Sequence, residues 1–155
     1  FINFAGIGGD CTNFISQCIF AGCCQMNFTP DLGWYYISSR DRAAGWTGVN
    51  YLYNFLITNT KEGPFGRLVE ERYAIPGDVI QLGRANGDFY HTLIITETDY
   101  NEKYVCAHTD NALDRPLSSY IFDKARFIHI AGARRSGILP KECFYDLITG
   151  KSINI

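Results

Sequence analysis

The hydrophobic pattern of this chain changes period once, at Pro76-Gly77, and that change does most to limit its fold. Before it, apolar residues recur at helical spacing. Phe14, Ile15, Cys18 and Ile19 make one face that stops at Gly22, and Val49, Leu52, Phe55 and Leu56 make a second behind Thr47. Phe28 to Trp46, aromatic and broken by Pro30 and Gly33, reads as a loop. After Pro76-Gly77 the pattern predicts strands at Asp78–Leu82, Phe89–Thr98, Lys103–Thr109 and Arg126–Ile130, with a hairpin turn around Asn86-Gly87-Asp88. Asp146–Gly150 could turn a last hairpin. Helices collected at one end, followed by strands with short connections, predict an α+β fold and not a parallel doubly wound sheet.

Length and composition agree with that frame. A chain of 155 residues makes one domain and buries about 70% of its unfolded surface, so a real core is expected. Hydrophobic residues make 46% of it and charged residues 19%, with 11 Phe, 10 Tyr and 2 Trp, which excludes disorder. No apolar run is long enough to be a membrane helix. With a net charge of −2 and no basic cluster beyond Arg134-Arg135, the chain lacks the electrostatic footprint of a nucleic-acid binder.

The six cysteines are Cys11, Cys18, Cys23, Cys24, Cys106 and Cys143, too sparse for a disulfide scaffold and without zinc-site spacing. Most read as free thiols, several of them buried as small hydrophobes. Cys11 differs in its setting. It opens the first helix directly after Gly6-Ile7-Gly8-Gly9-Asp10, where glycines permit a sharp turn and close approach of a ligand. Asp10 suits the N-cap, its carboxylate accepting from the free N–H groups of the first turn. The positive end of a helix favours a thiolate, which is the form that attacks carbonyl carbon. Cys18, further along the same helix, reads as a packing residue.

A nucleophilic thiolate needs a base, and the chain has three histidines. His91 lies on the second predicted strand, His108 at the end of the third and His129 on the fourth. If the third strand runs on, alternation puts His108 and Asp110 on one face. A Cys at a helix tip opposite two histidines on adjacent strands is the arrangement of a papain-like hydrolase, which needs nucleophile, base and an orienting polar group. A zinc site from His91, His108 and a carboxylate would leave the helix-tip Cys11 without a role. Trp34, Tyr35, Tyr36 and Trp46 fit either a stacking groove or the core. Asn27-Phe28-Thr29 matches a glycosylation triplet only by composition, and Gly83-Arg84-Ala85-Asn86-Gly87 reads as a turn.

The run Gly8-Gly9-Asp10-Cys11-Thr12-Asn13-Phe14-Ile15-Ser16-Gln17 resembles the nucleophile motif of the putative amidase domain family, which is related to the CHAP-type and NlpC-type papain-like cysteine hydrolases. Trp34-Tyr35-Tyr36, Ser39 through Thr47, Pro76-Gly77-Asp78-Val79-Ile80, His91, Ala107-His108-Thr109 and Phe127-Ile128-His129-Ile130 resemble it in order and spacing, so the likeness runs from Gly8 to Ile130. The resemblance implies a papain-like fold with the nucleophile helix packed on a small antiparallel sheet. It also implies a Cys-His hydrolase of amide bonds: Cys11 matches the nucleophile, His91 the general base and His108 the third polar member. Peptidoglycan peptides are the substrate class it implies, with no cofactor, a monomeric state, and a secreted or wall-associated location. The family carries a helix before the motif, so the chain reads as cut at its N-terminus, and residues 131–155 read as an extension outside the likeness. Two other readings stand beside this one: an acyl transferase of the same architecture, in which an amine resolves the thioester, and a non-catalytic wall-binding module.

Overall fold

The computed structural model describes residues 1–4, 9–137, 145, 146 and 149. Three α-helices come first: α1 (Cys11–Cys23), the single turn α2 (Ala44–Thr47) and α3 (Val49–Thr58). Six strands follow: β1 (Gly63–Val69), β2 (Val79–Gly83), β3 (Phe89–Thr98), β4 (Lys103–Ala107), β5 (Ala112–Pro116) and β6 (Lys124–Arg134). They form one sheet in the order β1-β6-β2-β3-β4-β5, and every pairing is antiparallel. The fold is α+β.

Strand alternation divides the core between the two faces of this sheet. One cluster joins Ile15, Ile19 and Phe20 of α1 and Leu52, Phe55 and Leu56 of α3 to Val79 and Ile128, with Ile94 packed against it. The other face gathers Ile80, Leu82, Leu93, Ile95, Val105, Leu117 and Phe127. β2 lies between β6 and β3 and is buried at all five positions, the polar Gln81 among them donating to the Val49 carbonyl and accepting from Arg126 Nε–H. The Asn86-Gly87-Asp88 turn joins β2 to β3 as expected, with Gly87 at φ +89°.

Several sequence expectations change. Trp34 and Trp46 are fully buried with ring centroids 4.7 Å apart, so they are core and not a stacking groove. The stretch read as a loop does contain the turn α2, and α3 starts behind Gly48, not under a Thr47 cap. β1 and β5 were not legible: Gly63–Val69 carries glycines and a proline, and Ala112–Pro116 is short and largely exposed. β6 runs past Ile130 to Arg134 to pair with β1. Of the hairpin expected at 146–150, only Asp146 and Thr149 are described, and both are helical.

Candidate active site

Cys11 is the first residue of α1 and is 7% exposed. The turn before it depends on Gly9, whose φ of +99° is costly for any residue with a Cβ. Asp10 follows, with its N–H donated to Thr109 Oγ1 at 2.7 Å, which ties the helix start to the turn after β4. The sulfur lies 3.8 Å from Thr12 Oγ1, and Thr12 Oγ1 is 2.9 Å from Thr92 Oγ1 on β3. The helix tip is thereby fixed to the sheet at two places.

The Asp10 carboxylate does not cap the backbone as its sequence position suggests. It is only 2% exposed, and Oδ1 accepts from Phe4 N–H and from Asn13 Nδ2, both at 2.8 Å. Oδ2 faces His108 Nδ1 at 2.5 Å. Asn13 in turn accepts from Trp46 Nε1 at 2.9 Å, and Ser16 links Trp34 Nε1 to the Trp46 carbonyl. A buried polar network so complete fixes a single arrangement, because any member left unpaired there carries its full desolvation cost.

His91 lies on β3 opposite Leu82. Its neighbour Thr92 bonds to α1, so alternation turns the imidazole to the other face of the sheet, where its ring centre is 6.2 Å from that of Tyr120. Cys11, at the extreme tip of the helix, still opens onto that side, past the point where β4 stops at Ala107. Cys11 and His91 line one cavity of about 470 Å³, with Gly9, Tyr90, Thr109, Asp110, Arg115 and Tyr120 among its other walls. Burial pushes His91 below the ordinary histidine range of 6.5; the Asp110 charge pulls it back up and the Arg115 charge pushes it further down. A neutral imidazole can take the proton of a thiol that comes within hydrogen-bond reach of it.

His108 is placed differently. β4 ends at Ala107, so alternation does not carry on to His108 and Asp110. The His108 ring stacks on Phe14 of α1 at 5.3 Å and holds Asp10, while Asp110 lines the cavity. Among the described residues no hydrogen bond joins the two imidazoles. His129 sits at the opposite end of β2, with Nδ1 2.9 Å from Asp78 Oδ1, and is remote from the cavity. Sequence reasoning overlooked Arg115 and Tyr120, because nothing in Asp114-Arg115-Pro116 or Ser119-Tyr120-Ile121 signals that β5 and the turn behind it fold over a cavity.

Two other thiols of α1 are held in their protonated form. Burial, with the nearby Cys106 in support, pushes the Cys18 thiol up to about 11, and burial also raises Cys23. Cys24 is disulfide-bonded.

Residues 1–131 match the putative amidase domain. The chain is also 31% identical over 99 residues to the uncharacterized protein YhbB of Bacillus subtilis (strain 168), an alignment covering 62% of this chain and 32% of that protein. The chain thus spans about a third of that relative's length. No solved structure gives a significant match.

Proposed function

The chain belongs to the putative amidase domain family, and we propose that it cleaves amide bonds by a cysteine mechanism, with peptidoglycan peptides as its substrate class. The observation that carries this reading is the shared cavity: a cysteine at a helix tip and a partly buried, unprotonated-favouring histidine line the same walls. His91 takes the proton of the Cys11 thiol, and the thiolate attacks the carbonyl carbon. The tetrahedral oxyanion lies at the start of α1, where the Cys11 N–H and the helix dipole stabilise negative charge. His91 then gives its proton to the departing amine, leaving a thioester on Cys11. Water, deprotonated by His91, attacks that thioester and releases the acid.

His108 is the third polar member in this proposal. With Nδ1–H donated to Asp10, it locks the turn that carries Cys11 and so acts as a positioning residue. Asp110 is the rival group, because it lines the cavity beside His91 and its charge reaches that imidazole.

The experiment is digestion of purified peptidoglycan, with the new amine and carboxyl ends identified by mass spectrometry. Paired new ends that appear with the wild-type protein and vanish with Cys11→Ala support the reading. Binding to the wall without new ends would return the protein to a binding module. Products that carry an added amine in place of a carboxyl end would make it an acyl transferase.

A further inference from the structure

We propose that Arg115 makes this cavity a carboxylate-recognising site, so that the acyl or amine part of the substrate beside the scissile amide carries a negative charge. The inference rests on Cys11 being the nucleophile and adds the chemical class of what reaches it. Arg115 is half-buried on β5 and lines the same cavity as Cys11 and His91. Its guanidinium is held in advance of any ligand. Nε–H donates to Ser119 Oγ at 2.8 Å, Nη2 donates to the Ser119 carbonyl at 3.1 Å, and the group lies over the Tyr120 ring at 4.1 Å from its centre.

Those contacts use the Nε/Nη2 edge of the guanidinium. They leave the end-on pair of N–H groups, one on each Nη, which is a fork that matches a carboxylate in two-point geometry. Among the described residues no carboxylate forms a salt bridge with Arg115, whereas Arg84, which lies over the ring of the cavity residue Tyr90, is paired with Asp88 at 2.6 Å. A side chain already fixed by stacking and by two hydrogen bonds loses little further freedom when a ligand arrives. Its charge also acts on His91, which lines the same cavity. Asp110 is the acidic group lining the same cavity. It is exposed to solvent, its charge acts on His91 in the opposite sense to that of Arg115, and it forms no ion pair with it.

The test uses two small alkylating reagents that differ only in charge, iodoacetate and iodoacetamide, with Cys11 modification followed by peptide mass mapping. The rate ratio of the two is the readout, because a change in thiolate fraction affects both reagents alike and cancels. In Arg115→Gln the iodoacetate-to-iodoacetamide ratio at Cys11 should fall roughly tenfold, the worth of one charge-assisted hydrogen bond. Arg115→Lys, which keeps the charge and guards against a folding defect in the first variant, should retain most of the wild-type ratio. Cys11 labelling with an unchanged ratio in Arg115→Gln overturns the carboxylate site and leaves the amidase reading standing. A fall in the ratio without any amide cleavage by the wild-type protein keeps the carboxylate site and sinks the amidase reading. If neither reagent modifies Cys11, both are overturned.

Discussion

The chain builds the same device twice, at opposite ends of its central strands, and only one copy stands beside a helix-tip cysteine. Asp10 and Asp78 are each 2% exposed, Asp10 accepts one backbone N–H and Asp78 two, and each holds the Nδ1 of a histidine. Asp78 receives Ile75 and Ile130 N–H and pins the entry to β2 against β6. Asp10 receives Phe4 N–H and pins the start of α1 against the turn after β4. An Asp–His pair is therefore, in this protein, first a way to anchor the beginning of an element. What separates the two regions is the next residue, Val79 in one and Cys11 in the other. His91, which shares the cavity with Cys11, has no carboxylate bonded to it among the described residues. Its neutrality comes from burial.

The sharpest way to break the comparison is to remove the residue that distinguishes the two ends. Cys11→Ala should abolish amide cleavage, a loss of about 10³-fold or more, with the thermal melting curve nearly unchanged. His129→Ala, assayed in parallel, should keep most of its turnover; a loss comparable to that of Cys11→Ala would move the active centre to the wrong end of the sheet.

Next in size are the anchoring aspartates. Asp78→Ala strands two buried backbone donors and one imidazole, and should cost about 2–4 kcal/mol in a denaturant melt while sparing the activity of the folded fraction. Asp10→Ala should cost a similar amount and lower turnover as well, since the displaced turn carries Cys11. Equal activity in the two folded variants would mean that the Asp10 anchor does nothing for the site.

A smaller effect divides His108 from Asp110. His108→Ala should reduce turnover by roughly 10–100-fold, the usual cost of losing a group that orients a reacting one, and Asp110→Ala should be milder. The reverse order in two well-folded variants would transfer the orienting role to Asp110.

The smallest expected effect is on pH dependence. Because the folded protein holds His91 below 6.5, protonating it in the native state needs a lower pH than in the unfolded chain. Its contribution to stability is thus present above 6.5 and is lost as pH falls through the lowered value. For the same reason the acid limb of kcat/KM should lie below pH 6.5. Asp110→Asn should move that limb to lower pH, and Arg115→Gln should move it to higher pH. A limb that ignores both charges would show that another group governs it.

The sequence alone determined the fold class and singled out the two side chains, Cys11 and His91, that line one cavity. The switch from helical to strand spacing at Pro76-Gly77 gave α+β, because burial of one face leaves a period that needs no partner to be read. Gly9, Asp10 and Cys11 marked a helix start, because backbone freedom and helix charge act within a few residues. Everything that depends on distant partners was decided by the tertiary structure. Asp10 looked like a backbone cap and became the holder of His108, because the turn after β4 folds back onto α1. The edge strands β1 and β5 carry no period of their own, since their order comes from pairing with β6 and β4. Arg115 reached the cavity by that same route. Side-chain chemistry is local and can be read along the chain, whereas which groups meet is fixed by long-range pairing, and no short window of sequence contains both partners.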